Sequence, residues 1–157
     1  MEQLDKTDLQ ILRVLQENAK LTTKELAERV SLSTTPVFER QKRLERQGII
    51  KKYVAVVDAE KMGFGFVVFC NVKLRQMNHD IAEEFERSIV EFPEVTECYN
   101  TSGNFDFLLK IQVSDMAQYR EFLLHKLGTI SSLGSIESTF VMSEVKRELG
   151  VIISQRS

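Results

Sequence analysis

The sequence predicts an α+β chain with an N-terminal winged helix-turn-helix over residues 1–62 and a ferredoxin-like βαββαβ domain over residues 63–157. Two observations predict it. Residues 21–48, LTTKELAERVSLSTTPVFERQKRLERQG, set two short helical patterns on either side of a Ser31-Leu32-Ser33 turn. Beyond residue 65, strand-like and helix-like apolar patterns follow in the order strand, helix, strand, strand, helix, strand.

Each element has local support. Residues 4–18 form the first helix, with Leu4, Leu9, Ile11, Leu12 and Leu15 as its apolar stripe and Asp5 and Asp8 near its positive end. Thr22 or Thr23 caps the second helix, with Glu25 in the first turn and Leu26, Ala27 and Val30 turned inward. Ser33 caps the third. Pro36 falls in its first turn, where a missing N–H costs little, and Gly48 sits just past its end. Residues 49–57, IIKKYVAVV, are rich in β-branched side chains and read as a strand or wing; residues 58–65, DAEKMGFG, read as a hinge. In the second half, strands are expected at 66–74, 95–101, 105–113 and 136–142, with helices at 80–92 and 116–127. A tight Gly103-Asn104 turn joins the middle strands, and residues 151–153 add a short final strand. The first strand, FVVFCNVKL, is apolar at seven of nine positions, so its second face calls for a partner subunit.

Charge is unevenly placed. The chain carries a net −2, yet residues 1–62 hold 12 Lys/Arg against 10 Asp/Glu and residues 63–157 hold 9 against 13. Residues 40–52 alone contain Arg40, Lys42, Arg43, Arg46, Lys51 and Lys52 against the single acid Glu45. A local basic run beside a helix-turn-helix suits contact with duplex DNA phosphates. Cys70 and Cys98 have neither CxxC spacing nor a nearby histidine, which argues against a zinc site or a disulfide framework. No apolar run reaches membrane-span length and no signal-peptide pattern opens the sequence, so a cytoplasmic protein with no membrane partner is expected. His79 and His125 are isolated. With no nucleophile elbow, phosphate-cradling loop or acid/base pair in view, no cofactor, metal or catalysis is expected.

Two sets of residues carry the functional reading. On the third helix Val37 and Leu44 face inward, leaving Thr34, Thr35, Phe38 and Lys42 nearest a major groove entered by the helix N-terminus. Thr hydroxyls bond several base edges, and Phe38 or a Thr methyl can touch a thymine methyl. Arg40, Arg43 and Arg46 suit either phosphates or ion pairs with Glu39 and Glu45. The second set is the turn Thr101, Ser102, Gly103, Asn104 with Asp106. Phe105, Phe107, Leu109, Ile111 and Val113 alternate toward the helices, placing Asp106, Lys110 and Gln112 on the other face. Exposed turn N–H groups can hold a carboxylate and Asp106 an ammonium, as an α-amino acid needs. An ordinary hairpin turn followed by a surface acid is the competing reading.

The stretches LDKTDLQILRVLQENA, LAERVSLSTTPVFERQKRLERQGII, SGNFDFLLK and FVMSEVK together resemble the leucine-responsive/AsnC family of transcription regulators. That resemblance implies a sequence-specific DNA-binding regulator responsive to an amino-acid effector such as leucine. It also implies a homodimer that assembles further, and an effector site lined by the glycine-to-aspartate turn. Phe140, Val141 and Met142 would then give apolar contacts from the same or a neighbouring subunit. Two positions depart from the family pattern. Ser31 stands where glycine is usual, so it must accept a left-handed backbone or reshape the turn, and Gln41 replaces an apolar residue. The alternatives from other classes are a small ferredoxin-like enzyme and a protein-binding adaptor.

Overall fold

The computed structural model describes residues 4–76 and 78–153, which form two units, 4–56 with 146–153 and 57–145. In the first unit α1 (Lys6–Glu17), α2 (Thr23–Arg29) and α3 (Thr34–Arg46) enclose Ile11, Leu15, Leu26, Ala27, Val30, Val37 and Leu44. Reciprocal capping boxes fix the starts of α1 and α2: Asp5 with Asp8, and Thr22 with Glu25. Ser33 is the N-cap of α3 in backbone terms, but its side chain makes no capping bond.

The turn between α2 and α3 settles the Ser31 question. Ser31 has φ +56°, so it takes the left-handed backbone. Its N–H donates to the Glu28 carbonyl and that of Leu32 to the Ala27 carbonyl, the paired bonds of a Schellman ending. Gly48, at φ +70°, ends α3 the same way.

Two expectations for this unit change. Residues 51–57 form no strand, and Tyr53, Val54, Val56 and Val57 are exposed. β-branched composition favours a strand only where a neighbouring strand accepts its hydrogen bonds, and among the described residues none does. Residues 146–153, expected in the C-terminal domain with a strand at 151–153, instead group with the first unit and carry no strand. Gln16 grips this tail from α1: the Val151 N–H donates to Gln16 Oε1 at 2.7 Å, and Gln16 Nε2 donates to the Val151 carbonyl at 3.3 Å. Arg13 Nε adds a bond to the Ile153 carbonyl at 2.9 Å.

The second unit is the expected βαββαβ: β1 (Phe66–Leu74), α4 (His79–Ile89), β2 (Val95–Asn100), β3 (Phe107–Val113), α5 (Met116–His125) and β4 (Leu133–Phe140). The sheet order is β2-β3-β1-β4, with every neighbouring pair antiparallel. Asn78 and Asp115 cap α4 and α5 by accepting from the Ile81 and Gln118 N–H groups. Val68, Cys70, Val72 and Leu74 of β1 and Phe107, Leu109, Ile111 and Val113 of β3 face the helices, meeting Phe85, Ile89, Tyr119 and Phe122. The outward row of β1 is Val67, Phe69, Asn71 and Lys73, all half-buried, so only one half of that face is apolar. β3 starts at Phe107 rather than 105. β4 spans 133–140 rather than 136–142, because Leu133 and Ile136 are the residues that pack on the core. A register shift at Lys73/Leu74 admits that early start, with Gly134 against β1 where a Cβ would stand 2.9 Å from the Lys73 carbonyl oxygen.

Ser31→Gly tests the turn. A left-handed L-residue costs roughly 1–2 kcal/mol, and glycine returns part of that gain, roughly 0.5–1 kcal/mol, as unfolded-chain entropy. The substitution should therefore stabilise the chain by about 0.5–1 kcal/mol, read as a higher denaturation midpoint. A lower midpoint would mean that the serine side chain itself holds the turn.

Candidate nucleic-acid interface and effector site

Helix α3 presents a clear division. Val37 and Leu44 are fully buried, whereas Thr34, Thr35, Lys42 and Arg46 are exposed and Phe38 is 49% exposed. At about 100° per residue, Thr35, Lys42 and Arg46 fall within about 40° of one another. The Lys42 ammonium sits 5.8 Å from the Phe38 ring centroid and pairs with Glu45 Oε2 at 2.7 Å. Glu45 is held further by the Tyr53 hydroxyl, which donates to Oε1 at 3.0 Å, and Gln41 Nε2 donates to that hydroxyl oxygen at 2.9 Å. Gln41, placed where the pattern expects an apolar residue, therefore orders the chain just beyond α3.

Arg40 and Arg43 turn away from this row. Arg40 Nη1 lies 2.5 Å from Asp5 Oδ2 and 2.8 Å from Asp8 Oδ1; Arg43 Nη2 lies 2.6 Å from both Asp8 oxygens. Hydrogen bonds to Asp5 and then Asp8 push the Arg40 pKa up, keeping its charge fixed. Both arginines are ion-paired in this structure, to acids at the start of α1 rather than to Glu39 or Glu45. Arg46, exposed at the end of α3, makes no ion pair among the described residues. Sequence reasoning treated Asp5 and Asp8 as helix-end charges and missed their second role. A sequence pattern carries i,i+3 spacing within α1 but not the approach of α3.

In the second unit the β2–β3 connection is longer than a two-residue turn. The Thr101 N–H donates to the Asp106 carbonyl at 2.9 Å, and Thr101 Oγ1 donates to the Phe105 carbonyl at 3.1 Å, closing the loop base. Ser102, Gly103 and Asn104 are exposed at its tip, with Gly103 at φ +120°. Their N–H groups make no hydrogen bond among the described residues.

Asp106 is not the open surface acid the pattern implied. It is 7% exposed; Lys73 Nζ donates to Oδ1 at 2.9 Å and the Leu74 N–H donates to Oδ2 at 2.8 Å. Burial works against its charge, but the Leu74 and Lys73 bonds outweigh it and lower its pKa. Lys110, on the same sheet face, is also buried and pairs with Glu97 at 2.9 Å. Phe140, Val141 and Met142 do not converge on this loop. Phe140 lies opposite Val68, whereas the Asp106 N–H bonds the Val72 carbonyl, four residues or about 13 Å further along β1. Phe140 also points to the helix side, stacked edge-on against Tyr119 at 5.6 Å, while Met142 is 95% exposed. Within one chain the register therefore sets these three residues apart from the loop. No cluster of metal-binding side chains occurs among the described residues, and none of their helices is long and apolar enough to cross a membrane.

A winged helix-turn-helix DNA-binding profile matches residues 4–51, and an Lrp/AsnC ligand binding domain profile matches residues 67–151. The chain belongs to the Lrp/AsnC family. It is 37% identical over 153 residues to the leucine-responsive regulatory protein of Escherichia coli K12, covering 98% of this chain and 93% of that one. It is 36% identical over 152 residues to the transcriptional regulator AzlB of Bacillus subtilis, covering 97% of each. Among solved structures, a transcriptional regulator of Neisseria meningitidis in complex with L-methionine matches with TM-score 0.92 and 38% identity, over 96% of this chain and 97% of that one. An AsnC family regulator of Agrobacterium tumefaciens matches with TM-score 0.91 and 33% identity, over the same shares. The protein is thus a DNA-binding transcriptional regulator of the Lrp/AsnC type.

Asp106→Ala is expected to lower stability by about 2 kcal/mol, because it leaves the buried Leu74 N–H without an acceptor. The sign for pH follows from the lowered pKa. Stability from Asp106 is present above the unfolded carboxylate pKa of about 3.9 and is lost as pH falls through the lower folded value. Denaturation midpoints across the acid range should therefore fall less steeply in Asp106→Ala than in the wild type. Equal slopes would remove Asp106 from the acid response.

Proposed function

We propose that the protein binds operator DNA through Thr34, Thr35, Phe38, Lys42 and Arg46 of α3, as a homodimer or larger assembly in the cytoplasm, and that an apolar amino acid modulates this binding. The observation that carries this choice of DNA-binding residues is the exposed row on α3 after Arg40 and Arg43 are taken up by α1. Thr35 and Phe38 are the groups suited to base edges; Lys42 and Arg46 are suited to phosphates. Paired recognition helices require half-sites about one helical turn apart, hence a near-palindromic operator. The outward face carries Val67 and Phe69 on β1 and, in register with Asn71, Leu108 on β3 paired with Tyr99 on β2; these apolar side chains support self-association through the sheet.

The effector reading rests on the loop 101–106. Its free N–H groups at Ser102, Gly103 and Asn104 suit the effector carboxylate, and the effector ammonium would compete with Lys73 for Asp106. Thr101 holds the loop base. Phe140, Val141 and Met142 fit an apolar side-chain subsite only when a neighbouring subunit brings them to the loop. Leucine and methionine are the leading candidates, given the leucine-responsive relatives and the methionine-bound neighbour.

Two experiments test this. Alanine at Lys42 and Arg46 together should flatten the dependence of log affinity on log salt by about 0.9 for each phosphate that is no longer neutralised. Thr35→Ala should change the sequences recovered by in vitro selection more than the overall affinity. A double variant with unchanged slope removes α3 from the phosphate contacts. For the effector, thermal shift with the twenty amino acids should pick out the apolar ones, since a ligand that binds only the native state raises its stability. L-Methioninamide, lacking the carboxylate, should give no shift at the concentration where L-methionine does; an equal shift would overturn the carboxylate assignment.

A further inference from the structure

Asp8 is buried while the arginines it holds are not: side-chain accessibility is 1% for Asp8, 29% for Arg40 and 31% for Arg43. At about 100° per residue, Arg43 lies about 60° from Arg46 around α3, at the rim between the exposed row and the α1 side. A cation at the rim of a groove-binding helix is placed for the sugar-phosphate backbone that walls the groove. Here that cation is committed to a carboxylate. Among the described residues, Asp5 and Asp8 with Arg40 and Arg43 make a cluster of zero net charge, leaving Lys42, Arg46, Lys51 and Lys52 as the cations of residues 40–52 outside it.

We propose that Asp8 is a specificity-determining positioning residue, which holds Arg43 off the phosphates and so limits the sequence-independent share of DNA binding. Phosphate neutralisation supplies essentially all of non-specific affinity, and a regulator works by the ratio of specific to non-specific binding. Arg43 freed for phosphate would raise affinity for every sequence alike. The exchange is disfavoured in the wild type for a physical reason. Asp8 is fixed in the fold, accepts from Arg43 Nη2 with both oxygens, and caps α1 through its own side chain. A phosphate that drew both arginines away would leave a buried, unpaired carboxylate behind.

Salt titration of the full chain on a random-sequence duplex, from about 50 to about 200 mM, separates this role from a merely structural one. Asp8→Asn keeps the shape and removes the charge. It should bind random DNA more tightly at low salt, with a log–log slope steeper by about 0.9 per arginine released in each bound head. Its preference for a duplex selected with the wild-type protein should fall. A slope that is unchanged or shallower in a folded Asp8→Asn variant overturns the proposal, since loss of structure weakens binding without adding phosphate contacts. Arg43→Gln, which leaves Asp8 paired to Arg40, covers the case in which Asp8→Asn unfolds. Its slope should equal the wild-type slope, and one shallower by about 0.9 means that Arg43 already touches phosphate, which overturns the proposal equally.

Discussion

The carboxylate of Asp8 ties the DNA-binding unit together. One side chain accepts the Asp5 N–H to close the α1 capping box and also receives guanidinium groups from Arg40 and Arg43. Helix α3 is thereby held from its flank while Val37 and Leu44 hold it from below. Hydrophobic burial of two residues fixes how deeply a short helix sits but resists rolling weakly, because apolar contact has no direction. Hydrogen-bonded ion pairs do have direction. A recognition helix that must offer Thr35, Phe38, Lys42 and Arg46 to a groove needs its rotation set, and the clamp to α1 supplies that. Removing the guanidiniums from the buried Asp8 carboxylate would leave an uncompensated charge, a cost larger than what the half-exposed pairs contribute over an apolar substitute. The clamp is therefore better understood as fixing orientation than as a source of stability.

The second unit uses the same device at another place. Asp106 joins the exit of the β2–β3 loop to the end of β1, through the Lys73 ammonium and the Leu74 N–H. This occurs where the β1–β4 register shifts and Gly134 lets the two backbones approach. The loop tip is left polar and open while its base is fixed by Thr101. Under the proposed effector reading, a small ligand at this loop would meet exposed N–H groups and a carboxylate already paired with a lysine, and any ammonium it brought would have to displace that partner at the end of β1. A ligand shifts an equilibrium only by its differential affinity for two states, and this exchange of ion-pair partners is one physical source of such a difference.

The alternation of apolar residues made the fold legible, because periods of 3.6 and 2 are local properties. They located all five helices and four strands given above to within a few residues; the family pattern left Ser31 either a left-handed backbone or a reshaped turn, and its φ of +56° is the former. What stayed hidden depends on tertiary approach. Residues 49–57 have strand composition, yet among the described residues no neighbouring strand pairs with them. Arg40 and Arg43 have the composition of phosphate contacts, yet α1 brings Asp5 and Asp8 within reach. Alternation placed Asp106 on the face opposite the helices, but it could not reveal that Lys73 meets it there. The family resemblance implied Phe140 as a ligand contact from the same or a neighbouring subunit; in its own chain strand register sets it opposite Val68, away from the loop.

The tail adds a constraint of its own. Residues 146–153 follow β4 after a short connection and end on α1, where the Gln16 amide exchanges two hydrogen bonds with the Val151 backbone. The close approach is tight enough that a Cβ at position 150 would stand 2.6 Å from Gln16 Oε1, so the glycine there is part of the grip. The polypeptide consequently passes between the two units twice, near residues 56 and 145, rather than once. The residues that orient α3 and the residues that anchor the tail share one rigid element, α1.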